Sequence, residues 1–218
     1  DVTIRVMPAE ELDVVAVGCP EAHDTQKLIE NIIAEDLPIW SMVFINPRMA
    51  EMKNRAPLLM HHDHPDEERV LLPASYILVL AFRKRESTRV REWLEGATRL
   101  CDAEILSEKI AEHEWKNRFK LMVVKRLGPS IIPTEVVVPL RELGSVMEEI
   151  ENKVDQPIVK EGVVIKNGSG GEPEVVILGF IPGDQRKLTF NFVFALAMTV
   201  IRIAEKHGGR AYSTGLYF

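Results

Sequence analysis

The chain is poor in the features that announce a function. Its 218 residues include only two cysteines, Cys19 and Cys101, in neither a CxxC pair nor a framework of several bridges, which excludes a disulfide scaffold and predicts two reduced thiols in the cytoplasm. The longest strongly apolar stretch, Phe190 to Ile203, is interrupted by Asn191 and Arg202 and falls short of the ~20 residues that span a bilayer. Positive charge is not in excess; the formal net charge of -6 argues against a nucleic-acid surface. Gly168-Ser169-Gly170-Gly171 lies between two strand patterns and lacks a trailing Lys-Ser/Thr, so it reads as a hairpin turn and not a phosphate loop. Gly208-Gly209 follows a helix pattern and terminates it. The chain thus offers no nucleotide-phosphate cradle of its own, no legible Ser/His/Asp grouping and no distinctively spaced carboxylate pair. No secretory signal is visible, and Asp1 in place of Met predicts a processed or excised N-terminus.

With 46% hydrophobic and 28% charged residues, the composition is that of one globular domain. It could divide into lobes 1–55 and 74–218 joined by the loop 56–73. Val2–Met7 and Leu12–Val17 read as strands. A helix is expected from His23 to Glu35 behind Asp24 as N-cap. IWSMVFI follows as a strand, and RMAEMKN as a short helix. The buried strand YILVLAF leads to a Ser87 helix with an apolar stripe of Val90, Trp93, Leu94, Ala97 and Leu100. A further helix is expected from about Ala103 to Phe119. Strands are expected at Leu121–Val124 and Glu135–Val138 with the turn-rich LGPSIIP between them. A helix from Leu140 to Lys153 is followed by the hairpin IVKEGVVI and EVVILGFI. The helix Leu188–Lys206 completes the pattern. Such irregular interleaving predicts an α+β fold, an antiparallel or mixed sheet with packed helices, with a hint of two ferredoxin-like halves.

Few side chains stand out as carriers of chemistry. His61-His62-Asp63-His64 concentrates nitrogen and oxygen donors that suit zinc or another transition metal, but adjacent ligands in a proline-bounded loop converge poorly on one ion, and no metal site is assigned. Arg118 lies three residues after Trp115 in HEWKNRF, so the indole can pack along a guanidinium able to hold a carboxylate in two-point fashion. Its plainer reading is a cation at a helix C-terminus. Arg210 and Tyr212, in GGRAYSTG, could present a cation and a phenol to a cleft or be ordinary strand residues. His113 reads as a solvent-facing or capping helix residue.

From Ala16 onward, the order of these features resembles the C-terminal domain of FAD-linked oxidases and dehydrogenases of the D-lactate dehydrogenase and glycolate oxidase type. The resemblance is carried by AVGCPEAHDTQKLIENIIAEDLPIWSMVFIN, YILVLAF with the Ser87 helix, EHEWKNRF, IIPTEVVVPLRELGSVMEEIE and EKHGGRAYSTG. It implies a substrate-binding cap on FAD that is held mainly by a domain outside this chain. The reaction implied is hydride transfer from a 2-hydroxy acid to flavin, with the isolated chain inactive. The partners implied are an N-terminal FAD-binding domain or subunit and the small hydroxy acid, with a homo-oligomer or further redox subunit left open. By the same resemblance Arg118, with Arg210 beside it, is expected to bind the substrate carboxylate. Gly208, Gly209 and Thr214 form the segment expected to face the flavin. The family's lysine is replaced by Pro133 or Thr134, its metal-binding histidines are missing from GVVIKNGSGGEPEVVI, and its glutamate-histidine-glycine is replaced by Tyr212-Ser213-Thr214-Gly215. Tyr212 is therefore the candidate to assist proton removal. The competing reading is a non-catalytic α+β module that binds a ligand or protein, in which Arg118 would be solvated on a convex helix.

Overall fold

The computed structural model describes residues 10–56, 69–127, 130–154, 159–184, 186–188 and 190–212. Val2–Met7, the His61–His64 loop and Thr214 lie outside the described residues. The elements are β1 (Leu12–Cys19), α1 (Ala22–Ala34), β2 (Ile39–Ile45), α2 (Pro47–Arg55), β3 (Tyr76–Arg83), α3 (Ser87–Leu100), β4 (Glu104–Ile105) and α4 (Glu108–Asn117). They continue with β5 (Ser130–Pro133), β6 (Val136–Pro139), α5 (Leu143–Lys153), β7 (Val159–Ile165), β8 (Glu174–Gly183), α6 (Phe190–Lys206) and β9 (Arg210–Ala211).

Among the described residues nine strands form one sheet, ordered β4-β1-β3-β2-β7-β8-β6-β9 with β5 also on β8, and every pairing is antiparallel. The order reads as one plan used twice. In the first half β3 inserts between β1 and β2, and β4 lies outside β1. In the second, β8 inserts between β6 and β7, and β9 lies outside β6. Each half is thus a ferredoxin-like unit, and the two share an edge through β2 and β7, where Val43 faces Val163 and Ile45 faces Glu161. Buried Asn46 locks this seam. Its Oδ1 accepts from Met49 N at 3.0 Å, capping α2, and from Lys160 N at 3.1 Å, while its own N–H donates to Lys160 O at 3.1 Å.

Because β-strand side chains alternate, each strand serves two cores. On one face Phe44, Leu78, Leu80, Val138 and Ile177 pack under α1, α3, α5 and α6. On the other, Ala16, Ile45, Ile77, Val79 and Phe180 pack with Met49 and Met52 of α2 and Ala111 of α4. β3 reads as a continuous apolar run because both its faces are covered.

Several expectations need correction. The halves meet between α4 and β5, not at 56–73, since β3 sits between β1 and β2 in the same half. Leu121–Leu127 is a 3-10 helix and not a strand; it sends Val124 into the α2 and α4 layer, and a four-residue apolar run has no period with which to declare its type. Conversely SIIP, expected as turn, is β5. It pairs with the far end of β8, where a bounding proline is tolerated. The expected 103–119 helix is shortened to α4 behind the two-residue β4. Asp24 lies in the first turn of α1, and the N-cap is Glu21, with no side-chain cap bond.

Candidate functional site

The last turn of α4 presents Trp115 and Arg118 three residues apart, hence on one side of the helix. The guanidinium carbon of Arg118 lies 3.9 Å from the Trp115 ring centroid and 4.5 Å from that of Phe119, within cation–π range. Its Nη1 donates to Trp115 O at 2.5 Å, tying the cation to the helix end. Trp115 meets Trp40 of β2 edge-on at 6.0 Å, and Trp40 and Phe119 are both largely exposed. Among the described residues no carboxylate lies within ion-pair range of Arg118.

Beneath this aromatic group is a small cavity. Its floor is Val43, Phe44 and Ile45 of β2 with Ile77 and Val79 of β3, and its remaining walls are Glu161 of β7 and Glu114, Trp115 and Arg118. Two carboxyl groups in one apolar pocket are held in different states. Glu114 is buried, yet bonds from His113 Nδ1 at 3.0 Å and Lys53 Nζ at 2.5 Å anchor it. Burial alone would raise its pKa, but the His113 hydrogen bond and the Lys53 charge outweigh burial and hold it below its ordinary value. Glu161 is 5% exposed, and its Oε2 has no hydrogen-bond partner. Burial pushes it up to about 7, the Lys53 charge opposing and the Glu114 charge assisting. The cavity has room for about one water, ≈ 10 Å³; with one fixed anion, one carboxyl near neutrality and one aromatic-stacked guanidinium, its walls carry the groups that hold an acid's carboxylate and exchange a proton with it.

The other residues singled out in the sequence do not gather here. Arg210 lies on β9 and makes a two-point ion pair with Glu174 at 2.7 and 3.0 Å. Tyr212 is 56% exposed, its backbone N–H on Glu135 O, and it does not line the cavity. Gly208 adopts φ +76, the left-handed turn that closes a helix. At Gly209 a Cβ would come within 2.4 Å of Val137 O and 2.9 Å of Ala204 O. Both glycines therefore have reasons in the chain's own backbone. His113, expected at the surface or as a cap, has about a third of its side chain exposed (34%) and also bonds Glu114. Among the described residues no three His, Cys, Asp or Glu side chains converge as metal ligands.

Nothing in the spacing of the sequence marks Glu114 or Lys53, and Glu161 is marked only faintly. One signal is available for Glu161: VKEGVVI sets adjacent charges in a strand that is otherwise apolar, and in a strand covered on both faces each charge must enter a core. Lys160, pointing to the opposite face, is 1% exposed with an unpartnered Nζ.

A family model described as "FAD linked oxidases, C-terminal domain" matches residues 9–171. No curated protein sequence matches the chain. Among solved structures it is similar to p-cresol methylhydroxylase with substrate bound, at TM-score 0.64 and 11% identity, over 95% of this chain and 46% of that one. It is also similar to alkyldihydroxyacetonephosphate synthase, at TM-score 0.63 and 10% identity, over 94% of this chain and 41% of that one. At these identities the likeness is one of fold, and the chain spans less than half the length of either protein.

Proposed function

The chain belongs to the family of FAD linked oxidase C-terminal domains, and from that premise we propose that it is the substrate-binding cap of an FAD-dependent oxidoreductase acting on a 2-hydroxy acid of the D-lactate or glycolate type. The carrying observation is Arg118, stacked on Trp115 and Phe119 and lining an apolar cavity without a carboxylate partner. A guanidinium so held is pre-organised to take a substrate carboxylate by two parallel hydrogen bonds. A neutral phenol such as p-cresol would leave that charge unmatched. The alternative of a non-catalytic module called for a solvated Arg118 on a convex helix, and the cavity speaks against it.

The described residues do not suit the cofactor's phosphates. At Gly168 a Cβ would meet the Glu174 side chain, at Gly170 and Gly171 it would meet nothing, and at Gly209 it would strike backbone oxygens. FAD would then be held mainly by an N-terminal domain or subunit, as membership of the family implies. When bound, the flavin supplies the oxidising power by accepting hydride from the carbon that bears the hydroxyl. This chain orients that carbon through Arg118 and keeps water from it with the β2 and β3 side chains. The buried free thiols of Cys19 and Cys101 accord with a reducing, cytoplasmic setting.

Anaerobic reduction of the flavin in the full-length protein tests the reading. D-lactate or glycolate should bleach it and p-cresol should not. Arg118→Met should lower kcat/KM for the acid by about 30-fold to 1,000-fold, the loss of a charge-assisted carboxylate contact of about 2–4 kcal/mol. Equal reduction by wild type and variant would overturn it.

A further inference from the structure

We infer that Glu161 is the catalytic proton acceptor of the Arg118 cavity, taking the proton of a hydroxyl carried by the carbon next to the bound carboxylate. The inference rests on the reading of the cavity as a 2-hydroxy-acid site. It starts from an otherwise costly arrangement: a carboxyl 5% exposed, on a strand position flanked across the sheet by Ile45 and Leu178, with one oxygen unbonded. A buried acceptor left unsatisfied keeps its full desolvation penalty. The cavity between Arg118 and Glu161 has room for about one water, and a substrate hydroxyl occupying that space would give the oxygen its missing partner.

The surroundings make Glu161 the group able to change state. Glu114 is committed to Lys53 and His113, and is held as an anion. Among the described residues the charged or titratable groups around Glu161 on this face are Lys53 of α2, Glu114 with His113 behind it on α4, and Arg118 at the end of α4. β2 and β3 contribute apolar side chains alone, and Lys160, though adjacent in sequence, points to the opposite core. With its pKa raised to about 7, Glu161 accepts a proton at neutral pH more readily than an ordinary carboxylate. The hydroxyl O–H breaks toward Glu161 Oε2, and Glu161 ends protonated; a bound flavin would supply the two-electron oxidation, taking up the hydrogen on carbon as hydride, so that the product would be a 2-oxo acid. Tyr212 is not needed for this step.

The test uses oxalate, an anion that cannot lose hydride, titrated calorimetrically into the full-length flavoprotein in buffers of different ionisation enthalpy. A second anionic group placed against Glu161 should draw a proton onto it. Uptake should approach ~1 proton per oxalate near pH 8 and fall toward zero near pH 6, as follows for a group titrating near neutrality. Glu161→Gln, fixed in the neutral form, should bind oxalate without uptake near pH 8, and should lower turnover of the 2-hydroxy acid by ~100-fold or more, as expected on losing a general base. Binding with no proton uptake in wild type, or the same uptake in the variant, overturns the assignment of Glu161 and leaves the carboxylate site standing. Absence of oxalate binding at any pH overturns the carboxylate site, and the inference with it.

Discussion

Replacing Lys160 by methionine should stabilise the protein, and by an amount that depends on pH. The amine is 1% exposed and has no hydrogen-bond partner; burial brings its pKa from 10.5 down to about 7, with Glu151 opposing. The folded state therefore holds this proton less tightly than the unfolded state, and unfolding takes up a proton between those two values. Stability rises with pH across that window by up to about 1.4 kcal/mol per unit. Below about pH 7 both states are protonated and the whole penalty is felt, on the order of 3–5 kcal/mol for the shift from 10.5 to about 7. Above the unfolded value it vanishes. Methionine is unbranched, one atom shorter and uncharged, so Lys160→Met should gain stability by that order near pH 7, with the gap nearly closed by about pH 10. Urea unfolding of both proteins across this range gives the difference directly. Subtracting the variant also removes the contribution of Glu161, whose opposite shift, from 4.5 up to about 7, gives stability that is present below the unfolded value and lost as pH rises through the folded one. Parallel curves for the two proteins would refute the reasoning, since Lys160 would then carry its charge in the fold with a partner.

Lys53→Ala should destabilise by about 3–5 kcal/mol at neutral pH, because it leaves buried Glu114 without its strongest counter-charge. Glu114 titrates below its ordinary 4.5 in the fold, so this contribution is present above that value and lost as pH falls through the folded pKa; urea midpoints near pH 7 and near pH 3 check it. Gly162→Ala should cost about 1–3 kcal/mol by overpacking, since its Cβ would fall 2.1 Å from the ring of buried Phe44, and the added substitution Phe44→Leu should recover part of that loss in thermal unfolding. Tyr212→Phe should leave steady-state turnover of the full-length enzyme unchanged within about two-fold, well under the smallest general-base contribution; a hundred-fold loss would move the proton acceptor from Glu161 to Tyr212.

The fold was legible where periodicity was long. α3, α5 and α6 each carry an apolar stripe over several turns, and β1, β3 and the β7–β8 hairpin show runs or alternations bounded by glycine and proline, so two ferredoxin-like halves could be anticipated, but not that they divide after α4. Short segments are not legible because three or four residues hold no period: Leu121–Val124 lies in a 3-10 helix, and SIIP is a strand. Arg118 was legible because a three-residue spacing on a helix fixes which side chains meet. Glu161 was not, because its character comes from β2, β3 and α4, elements distant in sequence that close over it. The same applies to Arg210, whose partner Glu174 lies across the sheet from it.

A crystal structure of the full-length flavoprotein with oxalate bound tests most directly whether this cavity is the substrate site. The predicted result is one carboxylate on the Arg118 guanidinium, above the β2 and β3 floor, with the other against Glu161 Oε2. Oxalate bound elsewhere, with Arg118 facing solvent or paired to a carboxylate of the flavin domain, would contradict it.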